Sequence, residues 1–127
     1  LVRTALAFSS RPKLVLLDEP FENLDPARKA IVARWIREFG GEGIIATHNL
    51  DVLDGFQDYG LYVLSDGRLY GPITVGDFLE SSVVEGERED AILTFQIYGK
   101  KVSLVRGKEG VRLGLLDTID RLYGVRM

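Results

Sequence analysis

The stretch Leu14-Val15-Leu16-Leu17-Asp18-Glu19-Pro20 decides the fold of this chain, together with Phe21-Glu22-Asn23-Leu24-Asp25-Pro26 and, one helix later, Gly43-Ile44-Ile45-Ala46-Thr47-His48-Asn49. An unbroken run of four apolar residues, closed by two acids and a proline, reads as a strand buried on both faces. That is the pattern of a parallel sheet covered by helices. Asp25 followed by Pro26 is a helix start, because the carboxylate accepts from orphaned amides and proline has no amide to lose at the first position. Ala27, Ile31, Trp35 and Phe39 recur every four residues, and Val32 and Ile36 widen the same face. The spacing predicts a helix to about Phe39, ended by Gly40-Gly41. Residues 43–47 then read as a second buried strand. Strand, helix and strand at this separation form a right-handed crossover between parallel strands.

Outward from this unit, residues 1–9 have the pattern of a helix with no cap before it, which predicts the end of a longer helix. Ser9-Ser10-Arg11-Pro12 is a turn, since proline disfavours helix in the residue before it. Downstream, Asn49 is expected to cap a short helix with Asp51 in its first turn. Leu61-Tyr62-Val63-Leu64 and Arg68-Leu69-Tyr70 flank Ser65-Asp66-Gly67, a strong hairpin signal. Thr74 opens a short helix through Leu79. From about Val83 the character changes. Residues 85–90 read as a charged linker, Ala91, Leu93, Phe95 and Ile97 alternate as in a strand, and Gly99-Lys100-Lys101 turns into a paired strand at 102–105. Leu115, Leu116, Ile119, Leu122 and Tyr123 fit a terminal helix. The division expected is residues 1–82 and a C-terminal extension, 83–127, of β-hairpin plus helix.

Composition narrows the function classes. The length of 127 residues suits one domain. Hydrophobic residues at 46% and charged residues at 28% allow a packed core under a polar surface. A net charge of -3 argues against a chain whose main task is gripping a nucleic-acid backbone. With no cysteine there is neither a disulfide framework nor a thiolate metal site. The apolar runs fall far short of the roughly 20 residues of a membrane helix, and no signal peptide pattern is visible. Any membrane association would come through a partner.

In a parallel sheet, ligands bind beyond the carboxyl ends of the strands. Two such ends carry polar groups here, Asp18-Glu19-Pro20 and Thr47-His48-Asn49. Adjacent carboxylates at a strand end point in different directions, so one can address a metal ion and the other a water. Alone, Asp18-Glu19 reads as a solvated strand end and His48 as a structural histidine. Their ordered spacing across one crossover is what sets the combination apart from either group alone.

These residues carry a resemblance. Leu14-Val15-Leu16-Leu17-Asp18-Glu19-Pro20 resembles the Walker B motif of ABC ATPases, and Phe21-Glu22-Asn23-Leu24-Asp25-Pro26 their D-loop and its lead-in. Ala46-Thr47-His48-Asn49 resembles the switch-histidine motif, residues 61–69 the hairpin that follows it, and Arg3-Thr4-Ala5-Leu6-Ala7 the helix after the signature motif. The likeness covers about residues 1–80. It implies an α/β fold, a partial P-loop NTPase-type parallel sheet with flanking helices, extended by a small C-terminal α+β unit. It implies ATP and Mg²⁺ as ligands. Asp18 would hold Mg²⁺ through water, Glu19 would be the general base or water-polarising group, and His48 would contact the γ-phosphate. Asn23, Leu24 and Asp25 would lie at a dimer interface, with Glu22-Asn23 departing from the commoner Ser-Gly/Ala before Leu-Asp. The implied partners are a second ATP-binding domain and a transmembrane permease, at the inner face of the cell membrane, with no nucleic acid.

Two family motifs have no counterpart here. A Walker A loop needs Gly-x-x-x-x-Gly-Lys-Ser/Thr to cradle phosphates with backbone amides. Only Lys100 and Lys108 follow a glycine, and neither is followed by Ser or Thr. No Leu-Ser-Gly-Gly-Gln signature is present. The chain alone is therefore expected not to be a competent ATPase. Two other readings stay open: the head of a DNA-repair or chromosome-organising ATPase, and a dimerisation module without catalysis. Segment 61–80 favours the transporter subunit.

Overall fold

A computed structural model describes residues 2–9, 12–107 and 110–112. The expected terminal helix lies outside them, as do residues 10 and 11 of the first turn. The order is α1 (Val2–Ser9), β1 (Leu14–Asp18), α2 (Pro26–Glu38), β2 (Glu42–Ala46), a 3-10 turn (Leu53–Phe56), β3 (Gly60–Ser65), β4 (Arg68–Thr74), α3 (Val75–Glu80), β5 (Ser81–Glu85), β6 (Leu93–Ile97), β7 (Lys100–Arg106) and β8 (Val111–Arg112).

β1 and β2 pair in parallel, with Leu14 opposite Glu42 and Asp18 opposite Ala46. α2 is the crossover between them. Its start is capped by Asp25, whose carboxylate accepts from the Arg28 amide at 2.8 Å. Its core stripe is centred on Val32 and Ile36, which join Phe21 and Phe56 in one buried cluster. Ala27 is exposed, so the apolar face begins a turn later than the four-residue spacing suggests. The helix does not end through a left-handed glycine. Phe39 leaves in extended conformation (φ -70°, ψ 121°) while its amide bonds back to the Ile36 carbonyl. Gly41 serves close approach instead: a Cβ there would stand 2.6 Å from the Lys13 carbonyl and 2.6 Å from the Phe39 ring.

Two-sided burial of the parallel strands is not what forms. Val15 is 5% exposed, yet Leu16 is 68% exposed and Leu14 and Ile44 are also open. Side chains alternate across a strand, and only the face toward α2 is covered. The apolar run is a two-stranded sheet with one bare face.

The segment after β2 also differs from expectation. Asn49 caps no helix; the 3-10 turn begins at Leu53 behind Val52, which makes no side-chain cap. Asp51 pairs with Lys29 of α2 at 3.2 Å. Tertiary pairing has replaced the local cap.

β3 and β4 form the Asp66-Gly67 hairpin, with Ser65 opposite Arg68. Asp66 (φ 49°) and Gly67 (φ 73°) both take the left-handed conformation a two-residue loop requires. Thr74 caps α3 by accepting from the Asp77 amide at 3.1 Å. Beyond it stands an antiparallel sheet in the order β6-β7-β5-β8. The change of character at residue 83 falls inside β5. A single cluster draws Leu50, Val63 and Phe78 together with Val83, Phe95, Ile97, Val102 and Leu104.

Candidate functional site

The site forms where β1 and β2 end side by side. Because Asp18 is in register with Ala46, the next residues on each strand, Glu19 and Thr47-His48, leave the sheet together. The Glu19 amide donates to the Ala46 carbonyl at 2.8 Å, which extends the pairing one step beyond the strands. Glu19 then adopts φ 47°. A non-glycine residue in this region is uncommon and persists where surroundings over-determine it. The turn is held by the Glu22 amide bonding to the Glu19 carbonyl at 3.3 Å, and by Phe21, 1% exposed, anchored against Val32 and Ile36.

The consequence is a division of the two carboxylates. Asp18 stays exposed at the strand tip. Glu19 turns across to the neighbouring tip. Its Oε1 accepts from the His48 amide at 2.9 Å and lies 2.6 Å from His48 Nδ1, while Oε2 accepts from the Thr47 hydroxyl at 3.2 Å. An ionised carboxylate only accepts, so in this pair Nδ1 carries the proton and donates. The side chains of His48 and Glu19 are 33% and 25% exposed, so solvent reaches both while burial strengthens their contact. A carboxylate has about four acceptor directions. Three donors occupy three of them, which leaves room on Oε2 for one more hydrogen bond, such as that of a water.

The remaining sequence candidates sit in the loop leading to α2. Asn23 is exposed with φ 61°. Leu24 packs against the cluster beneath α2. Asp25 is engaged as the α2 cap. Thus Asp18, Glu19 and His48 share the strand tips, and Asn23–Asp25 form the adjoining loop. Asn49, buried beside the site, leaves its side-chain nitrogen without a hydrogen-bond partner among the described residues. Thr47 is a further polar side chain at these tips, without a role among the sequence expectations. The available signal was a hydroxyl residue at the same strand tip as the histidine, one position past the residue paired with Asp18.

The donor set fits a magnesium ion brought by a phosphate ligand. Mg²⁺ prefers oxygen, keeps several waters and needs one or two carboxylates besides substrate phosphates. The exposed Asp18 carboxylate meets that need. Among the described residues no three His, Asp or Glu side chains gather as a closed metal cage, and this mode of binding calls for none.

No family model matches the chain. Individual proteins do. An Fe(3+) ions import ATP-binding protein of Pseudomonas fluorescens is 43% identical over 72 residues, 54% of this chain and 20% of that protein. A lipoprotein-releasing system ATP-binding protein of Caulobacter vibrioides is 43% identical over 72 residues, 54% of this chain and 31% of that protein. An energy-coupling factor transporter ATP-binding protein of Methanoculleus marisnigri is 37% identical over 79 residues, 58% of this chain and 28% of that protein. A crystal structure described as a cobalt transport ATP-binding protein superposes with a TM-score of 0.90 at 51% identity, over 98% of this chain and 48% of that one. The chain thus spans a fifth to a third of these curated relatives and about half of the solved one. Its relatives in sequence and in fold are ATP-binding proteins of ABC transporters, and it aligns with a part of each of them.

Proposed function

We propose that this chain supplies the magnesium- and water-handling half of an ATP hydrolysis site, as part of an ABC transporter ATP-binding subunit. The observation that carries the reading is the Glu19 carboxylate fixed between two parallel strand tips, against His48 Nδ1 at 2.6 Å, with Asp18 exposed beside it.

In the reaction, water adds to the γ-phosphorus of ATP and the bond to the bridging oxygen of ADP breaks, releasing ADP and inorganic phosphate. Mg²⁺, when bound, would neutralise charge on the phosphate oxygens. Asp18 would hold that ion through water. Glu19 accepts the hydrogen bond of the attacking water on Oε2 and orients its lone pair toward phosphorus. His48, held by the carboxylate through Nδ1, keeps its ring in a fixed orientation from which it addresses the γ-phosphate. Grip on the phosphates comes from a Gly-rich loop elsewhere in the longer subunit. The bare face of Leu14, Leu16 and Ile44 packs against that remainder, which restores the two-sided burial normal for parallel strands. Asn23, Leu24 and Asp25 face a second ATP-binding domain. The assembly works under a membrane permease on the cytoplasmic side; no helix among the described residues is long and apolar enough to cross a membrane.

Glu19→Gln in the longer subunit tests the reading. ATP binding is retained and hydrolysis falls by about 10²–10⁴-fold, the usual contribution of a positioned base. Turnover within a few fold of the parent overturns it.

A further inference from the structure

We infer that Thr47 is a positioning residue for Glu19, setting the one open acceptor direction of its carboxylate. The inference rests on the proposed role of Glu19 in hydrolysis. It starts from two distances: the Thr47 hydroxyl is 3.2 Å from Glu19 Oε2 and 3.1 Å from the Asn49 amide nitrogen.

A hydroxyl has one proton and two lone pairs, and its proton normally rotates to suit its surroundings. Here the rotation is settled. The Asn49 amide can only donate, so it takes a lone pair. The Glu19 carboxylate can only accept, so the hydroxyl proton points to Oε2. The result is a directed chain, Asn49 amide to Thr47 hydroxyl to Glu19 Oε2. Its origin is firm, because Asn49 is 8% exposed and followed by Leu50, 6% exposed. The β-branched Thr47 side chain is itself stiff at χ1.

Oε1 is meanwhile clamped by the backbone and ring of His48. Those two contacts pin one oxygen and leave the carboxylate free to swing about it. The Thr47 hydroxyl removes that freedom at the second oxygen. It therefore sets where a water bound to Oε2 would stand. Displacing a reacting atom by about 1 Å can cost on the order of 10²-fold in rate, so a carboxylate pinned at one oxygen is a poorer base than one pinned at both.

Two variants separate this from a structural role. Thr47→Val keeps shape and branching but removes the hydroxyl. Thr47→Ser keeps the hydroxyl. In the longer subunit, Thr47→Val lowers kcat for Mg-ATP hydrolysis about tenfold, in line with loss of one hydrogen bond to a charged group. KM for ATP stays within about twofold, and Thr47→Ser returns kcat to within about threefold of the parent. In the present chain, the carboxyl carbon resonance of Glu19 moves in Thr47→Val and stays in place in Thr47→Ser. An unchanged kcat in Thr47→Val, a serine variant as slow as valine, or a loss carried by KM alone overturns the inference. If the longer subunit shows no Mg-ATP hydrolysis, or Glu19→Gln leaves it unaltered, the functional reading fails instead. The Glu19 resonance then decides by itself whether Thr47 holds the carboxylate.

Discussion

Neighbouring residues of β1 provide a direct measurement of the bare sheet face. Val15 is 5% exposed and Leu16 is 68% exposed, although leucine is the larger and more hydrophobic side chain. Val15→Ala removes two methyl groups from the covered face of β1. At about 0.8 kcal/mol per buried carbon plus a small cavity term, the cost is about 2 kcal/mol. Leu16→Ala removes three carbons, about 2.4 kcal/mol if fully buried. With roughly a third of that contact made, the cost is about 0.8 kcal/mol. Urea unfolding of the chain, followed by circular dichroism, reads the difference. With m of about 2 kcal/mol/M, the midpoint drops about 1 M for Val15→Ala and about 0.4 M for Leu16→Ala. A Leu16→Ala midpoint as low as that of Val15→Ala refutes the reasoning, because it requires cover on both faces of the strand. In the longer subunit proposed above, the order reverses, since Leu16 then loses its full buried contribution.

Substitutions at two further positions probe the loops that frame the site and the hairpin. Asp25→Ala removes the α2 cap and costs about 1 kcal/mol in unfolding free energy, whereas Asp25→Asn, which keeps an acceptor, costs a few tenths; equal losses from both would show that charge rather than capping matters. Asp66 accepts from the Gly99 amide at 2.8 Å and the Tyr98 amide at 3.2 Å. Asp66→Ala is expected to speed hydrogen exchange at those two amides about fivefold, for a net loss near 1 kcal/mol; unaltered exchange there would rule out the contact as a stabilising one.

Legibility differed with the range of the interaction. The crossover was readable because each device in it is local: the Asp25-Pro26 start, the apolar spacing of α2, the two flanking runs. The Asp66-Gly67 hairpin was readable for the same reason, since its loop needs two left-handed residues and those residue types tolerate that conformation. Burial is less legible, because a run of four apolar residues reports what a strand can bury, not what is present to bury it. The local cap signal at Asn49 does not prevail, and Lys29, distant in sequence, takes Asp51 instead. β5 was missed because Ser81 and Ser82, both fully buried, look like loop residues in isolation. Their hydroxyls bond to the Phe78 and Gly107 carbonyls, and those partners are set by folding.

The strand-tip residues are legible in the sequence as a list and illegible as a geometry. Spacing identifies Asp18, Glu19 and His48 as strand-tip groups, but two adjacent acids at a strand end are interchangeable on paper. What distinguishes them is the left-handed turn at Glu19, followed by a register that sets Asp18 beside Ala46. Had Glu19 continued the strand, its side chain would have taken the face opposite to Asp18 and missed the tip of β2. The turn instead carries it over the end of the sheet, where only residues one or two past the paired Ala46 can meet it. Those residues are Thr47 and His48. The same step links Phe21 to the placing of the Glu19 carboxylate. A left-handed glutamate is uphill by about 1–3 kcal/mol, and the ring buried against Val32 and Ile36 holds the chain on the far side of that turn. The strain at Glu19 is thus offset by packing under α2, and the apolar face of the crossover helix becomes part of what aims the carboxylate.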